Sequence, residues 1–235
     1  MSLFPMISPA AADPAVTISL ESNGTTGSGA TVYTFSSQTL GAAAAGRKLV
    51  ICTTMDATAA PYSFGVSSIT VEGESCTQII EHHGTAPNNL QGGGIWYIDK
   101  ADDTTGDIVI TYARAASLGS FALFAVYNAD AGAPADTYSE GNKTESPQAV
   151  SIDVEAAGGA IYYGWWVNNG GSDVYTAVGL DEDFEANLSY GPYGQYHTGG
   201  HKVFADAQSS LTVSIDNSDT GSGQGLIVLT FDLNA

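Results

Sequence analysis

Strict period-two alternation is what most limits the fold of this chain. Val16, Ile18 and Leu20 alternate with Thr17, Ser19 and Glu21, and Ile69 and Val71 with Thr70 and Glu72. Val150, Ile152 and Val154 alternate with Ser151, Asp153 and Glu155, and Leu211, Val213 and Ile215 with Thr212, Ser214 and Asp216. This pattern puts apolar residues on one face of a half-buried strand. No segment has helical periodicity. The best helix-forming stretch, Ala42 to Ala45, is closed by Gly41 and Gly46, and a helix that short is not stable. The runs Leu49–Cys52, Ile95–Ile98, Phe121–Tyr127, Ile161–Val167 and Leu226–Phe231 are continuously apolar. They read as central strands covered on both faces. Gly73 turns residues 68–80 into a tight hairpin. About twelve short strands at regular spacing predict an all-β antiparallel β-sandwich, jelly-roll-like in character.

The pattern recurs. Residues 38–52 (QTLGAAAAGRKLVIC) are echoed by 148–162 (QAVSIDVEAAGGAIY), and 106–111 by 210–215. A Gly/Ser-rich turn and an apolar run follow each time, at 121–127 and at 226–231. The chain therefore reads as two similar antiparallel units, roughly 15–128 and 147–235. One sandwich spanning 15–235 is the favoured arrangement, because the joining segment 129–149 is not a low-complexity linker. Residues 1–14 differ: Pro5, Pro9 and Pro14 punctuate a charge-poor segment carrying Leu3, Phe4, Met6 and Ile7. This reads as an extended arm with an apolar tip, or else as a frayed terminus.

Charge narrows the partners. Asp and Glu number 25 against 6 Lys and Arg, a net charge of −19. Six scattered cations make no patch for phosphate or for an anionic membrane, so neither nucleic acid nor membrane is expected as a partner. Hydrophobic residues at 43% exclude intrinsic disorder. The N-terminus has no cationic start and Pro5 breaks its apolar run, so no export signal is expected. Arg47 and Lys48 form the one basic pair, the first place to look for an ion pair between copies.

Chemistry-bearing patterns are sparse. No G-x-S-x-G elbow is present, and scattered carboxylates do not mark a glycosidase pair. No catalytic residue and no cofactor is expected. The histidines are His82, His83, His197 and His201; Gly199-Gly200 deny the 197/201 pair a zinc-binding helix, and that pair reads as exposed loop histidines. Asp181-Glu182-Asp183 with Glu185, and Asp102-Asp103, are oxygen-rich turns without the spacing of a calcium loop. No metal site is assigned. Cys52 and Cys76 lie in strands; two buried thiols and one disulfide both remain open. The most unusual segment is 190–201, with Tyr190, Tyr193 and Tyr196 at spacing three among Gly and Pro. Tyr rings on an exposed loop suit stacking on a sugar or a partner surface, so Tyr190, Tyr193, Tyr196 and His197 are the candidate binding residues. Trp165 and Trp166 are successive strand residues and point to opposite faces.

The order of elements resembles β-sandwich virion proteins of tailed bacteriophages, of the head-decoration, head-fibre or minor-tail type. The residues that carry the likeness are Gly46-Arg47-Lys48 leading into Leu49–Cys52, the hairpin Ser68–Cys76, the Trp strand Gly94–Ile98, the strand at 106–111 leading to Phe121–Tyr127, and the last apolar strand 226–231. It spans about residues 30–235 as a pattern without an invariant motif. The resemblance implies a homo-oligomer, a trimer or pentamer, without catalytic residues. It implies an N-terminal arm, here Leu3, Phe4, Met6 and Ile7, anchoring the module to other virion proteins such as the major capsid protein. It further implies assembly in the host cytoplasm and, in some members, host surface glycan binding at the distal end.

Overall fold

The computed structural model describes residues 15–27, 29–57, 65–83, 91–143, 147–168, 175–190, 193–217 and 224–234. Among them every regular element is a strand and every ladder is antiparallel. Sixteen strands form: β1 (Thr17–Thr26), β2 (Ala30–Thr39), β3 (Lys48–Ala57), β4 (Val66–Val71), β5 (Glu74–Ser75), β6 (Thr77–His83), β7 (Gln91–Asp99) and β8 (Thr105–Tyr127) in the first half. The second half gives β9 (Asp136–Lys143), β10 (Gln148–Val154), β11 (Gly159–Asn168), β12 (Tyr175–Val178), β13 (Asp181–Tyr190), β14 (Tyr193–Val203), β15 (Gln208–Asn217) and β16 (Gln224–Phe231). The all-β, packed-sheet expectation is met, with more strands than the dozen expected from sequence.

β8 explains the larger sheet. Its first stretch pairs with β2 and β4, through Ile108–Tyr112. Its later stretch, Gly119–Tyr127, pairs with β1 and β3. The Gly/Ser-rich segment read as a turn is thus mid-strand, where β8 passes from one layer to the next. The hairpin expected over 68–80 is also shorter. Glu72 and Gly73 both have positive φ, 50° and 79°, and close a turn pairing only Val71 with Glu74 and Thr70 with Ser75. After Cys76 the chain departs, and β6 pairs with β7 at the far edge of the sheet.

The sheets stack in four layers. The outermost is β2, the first stretch of β8, β4 and β5; the next is β1, the later stretch of β8, β3, β7 and β6. The third is β9-β16-β11-β14-β13 and the fourth β10-β15-β12. A cluster including Leu49, Ile51, Ile108, Ile110, Phe121 and Leu123 fills the first gap. Val50, Cys52, Phe124, Val126, Ile161, Tyr163, Ile227 and Leu229 fill the middle gap. Tyr162, Leu226 and Val228 meet Ile152, Val213 and Ile215 in the third. The apolar runs at 49–52, 121–126, 161–165 and 226–231 are therefore strands buried on both faces, as expected, whereas in 95–98 Tyr97 and Ile98 are half-buried; odd and even residues of one strand serve different cores.

The two halves repeat one winding. Counting eight strands in each, with the two stretches of β8 as seventh and eighth and the two-residue β5 omitted, both halves form one sheet in the order 1-8-3-6-5 and another in the order 2-7-4. The sequence echoes fall on equivalent strands: β3 with β11, and the stretches of β8 with β15 and β16.

Trp165 locks the middle gap. Its indole is 3% exposed. It lies over Gly225, its cross-strand partner on β16, and against Gly93 of β7 in the facing layer. A Cβ at either glycine would overlap the ring. Gly93 is therefore a strand residue left without a side chain to admit the indole, while on the opposite face Gly94 does the same for the Trp96 ring. Gly93→Ala is expected to cost about 1–3 kcal/mol by overpacking. In a Trp165→Leu background the same change is expected to cost at least about 1 kcal/mol less, measured by urea unfolding as a double-mutant cycle.

Candidate functional site

The hairpin β13–β14 holds the segment singled out by sequence, and it is strand on both sides of residues 191–192. Register pairs Tyr190 with Tyr193 and Asn187 with Tyr196. The side chains of Tyr190 and Tyr193 lie outside the described residues, as do residues 1–14 with Leu3, Phe4, Met6 and Ile7, and the side chain of Trp166. Tyr196 and His197 correct the exposed-loop expectation. Alternation along β14 sends Tyr196, 9% exposed, into the third-gap core, and His197, 0% exposed, toward the middle gap. Gly199 lies against the Phe184 ring, and Gly200 against the Asp181 carbonyl and the Tyr162 ring, so these glycines make room for close packing in a strand.

His197 is held by a chain of hydroxyls that crosses between the halves. Tyr163 OH lies 3.1 Å from His197 Nδ1 and 3.2 Å from Ser120 Oγ on β8. The Ser120 carbonyl accepts from Thr53 Oγ1 at 2.6 Å, and Thr53 Oγ1 meets Tyr112 OH at 2.8 Å. Thr54 Oγ1 donates to the Gly92 carbonyl at 2.6 Å. The imidazole also stands edge-on to Phe184, ring centres 5.2 Å apart. Its Nε2 is buried without a hydrogen-bond partner among the described residues. Burial pushes the His197 pKa down to about 3 and the Tyr163 and Tyr112 phenols well up. Ser120, Tyr163 and His197 sit in one line, yet all are shut inside the stack, where the hydroxyls serve as a polar brace.

The other candidates are likewise used internally. His201 Nδ1 pairs with Asp183 at 2.6 Å, both on strands rather than a loop. Asp181, Glu182 and Glu185 lie along β13, an edge strand, where an acidic turn was expected. The Asp102-Asp103 turn is filled by Arg47. Its guanidinium donates to the carbonyls of Lys100 (2.7 Å), Gly41 and Ala42 (3.0 Å each), Asp103 (2.8 Å) and Asp102. Lys48 pairs with Asp99 at 2.8 Å, and Lys100 with Asp103 at 3.2 Å and with Glu74. The basic pair is thus committed within the chain and is not free to bridge copies. Both thiols are free: Cys52 faces the middle gap, and Cys76 packs on the first, its pKa pushed up to about 12 by burial. No group of three or more metal-ligand side chains occurs among the described residues.

The comparisons with known proteins give no relative. The chain matches no protein-family model, no curated protein and no solved structure. Arg47 and the Ser120–Tyr163–His197 chain were not found from sequence. Their partners are backbone carbonyls and residues of the other half, which no local spacing reveals.

The buried imidazole makes stability depend on pH. His197 takes a proton near 6.5 when unfolded but only near 3 when folded. The unfolded state therefore binds more protons in this window, so the neutral imidazole's contribution is complete above pH 6.5 and is lost as pH falls toward 3. Glu182, Glu185 and Asp232, whose carboxyls burial raises, act in the opposite direction. Unfolding free energy measured between pH 6 and pH 4 is expected to fall up to about 1.4 kcal/mol per pH unit more steeply in wild type than in His197→Gln. Equal slopes would mean that the folded imidazole is solvated.

Proposed function

We propose that this chain is a bacteriophage virion structural protein, a capsid decoration or head-fibre subunit assembled in the host cytoplasm. The observation that carries the reading is the doubled winding: one eight-strand unit occurs twice, and the copies close on each other through a gap buried on both sides. Such a stack is a stiff building block. Its hydroxyl, imidazole and guanidinium groups are engaged in holding the layers. The sheet orders 1-8-3-6-5 and 2-7-4 support a jelly-roll-like winding of each half. In this reading residues 1–14 anchor the stack to the particle through Leu3, Phe4, Met6 and Ile7, on virion proteins such as the major capsid protein. Copies associate with one another, and the reading assigns no catalysis, cofactor, nucleic acid or membrane.

A second reading is a glycan-binding adhesin or minor tail, receptor-binding protein. It draws on Tyr190 and Tyr193, which register as partners at the end of the β13–β14 hairpin. Tyr196 and His197 no longer belong to it, because both are buried.

Co-sedimentation with particles from the genome that encodes the chain tests the first reading. The full chain is expected to load, and a chain of residues 15–235 to keep its β-sheet circular dichroism and its melting temperature but not to load. Loading by neither removes the virion reading; equal loading by both removes the anchor. On a glycan array, binding by wild type that is lost in Tyr190→Ala/Tyr193→Ala would instead favour the adhesin.

A further inference from the structure

We infer that β2 is the edge through which one copy of this chain binds a second copy, by antiparallel pairing of the two β2 strands about a two-fold axis. The inference rests on the self-association part of the virion reading and names the strand that performs it.

β2 reads Ala-Thr-Val-Tyr-Thr-Phe-Ser-Ser-Gln-Thr, ten residues with no charge and no proline. It has one sheet neighbour, β8, so its other edge pairs with no strand among the described residues. β1 touches only its last residue by hydrogen bond, where Ser22 Oγ donates to the Thr39 carbonyl at 3.3 Å. An unpaired edge is a template for another strand unless charge, proline or shortness blocks it. The other edge strands are blocked in this way. β1 carries Glu21, β6 Glu81, β9 Asp136 and Glu140, β10 Asp153, and β13 Asp181, Glu182, Asp183 and Glu185. β12 is uncharged but has four residues, and β5 has two. The duplicated winding supplies an internal comparison: β10 holds in the second half the place that β2 holds in the first, and it carries the charge that β2 lacks.

Charge flanks the regular stretch of this edge only at its ends, with Arg114 on β8 near Thr31 and Asp107, whose carboxylate accepts from the Ser37 N–H at 2.8 Å. Register aligns Val32 with Thr111 and Ser68, and Thr34 with Val109 and Thr70. Val32 is 51% exposed, as high as any large apolar residue among those described. Charge then selects the occupant. A cationic partner would be drawn to the acidic edges and would find nothing to bind on β2. A second copy, also at −19, is repelled wherever carboxylates meet carboxylates. β2 is the long edge where two copies meet without opposing like charges. Pairing about a two-fold axis uses both β2 edges at once, so the contact closes instead of propagating. Register shifts between Ala30 and Val32 and between Phe35 and Gln38 bracket the regular stretch, which further limits its growth.

Sedimentation equilibrium of wild type, Val32→Glu/Thr34→Glu and Val178→Glu, at about 0.15 M and about 0.5 M salt, tests this. Thr34→Glu alone serves if the double variant melts early. Wild type is expected to have twice the mass of the β2 variants. Salt is expected to strengthen its association several-fold by screening the carboxylates. Val178→Glu, on β12, is expected to behave as wild type. Equal masses for wild type and the β2 variants, the same loss in Val178→Glu, or open-ended aggregation of wild type would overturn the inference. Particle loading measured alongside separates the two claims. Equal masses with retained loading defeat β2 pairing alone, and halved mass without loading defeats the virion reading alone.

Discussion

Burial of two sheets on both of their faces is the constraint on which the rest of this structure depends. A strand with one wet face can alternate polar and apolar residues. β3, the later stretch of β8, β11 and β16 have no wet face, so Leu49–Cys52, Phe121–Val126, Ile161–Tyr163 and Leu226–Leu229 are apolar at every position. Each fully buried large side chain contributes roughly 1.5–3 kcal/mol. The middle gap places such residues from both halves against one another, so neither half keeps its outer face when the other is removed.

The same constraint determines what polar groups do. A hydroxyl, imidazole or guanidinium inside such a stack costs free energy unless it is bonded. Arg47 meets five carbonyls, two in its own turn 40–47 and three at residues 100–103, and the second half replaces the turn 40–47 with the shorter 155–158. Ser120, Tyr163 and His197 link β8 of one half to β11 and β14 of the other. Carboxylates are left to the outer faces, turns and edges.

Much of the fold was legible because strands announce themselves locally. Alternation marked β1, β4, β10 and β15, continuous runs marked the doubly covered strands, and the echo between 38–52 and 148–162 reflects a repeated winding. What stayed hidden depends on contacts distant in sequence. Residues 113–120 resemble a turn by composition yet continue β8 between layers. Cys76 looks like the return of a hairpin, but the chain leaves it for the opposite edge of the sheet. Gly199-Gly200 look like a loop because only distant neighbours, the Phe184 and Tyr162 rings and the Asp181 carbonyl, explain their lack of side chains. The candidate site was less legible still: Tyr196 and His197 were chosen as exposed and proved buried, since β14 is covered by layers that the segment itself does not encode.

Native-state hydrogen exchange measures the shared burial most directly. Amides of β3 and the later stretch of β8 are expected to exchange at the same free energy as those of β11 and β16, and that value should equal the global unfolding free energy from urea. Exchange of β11 and β16 at a free energy more than about 1 kcal/mol below that of β3 and β8 would show two halves that unfold separately, and would contradict a common buried centre.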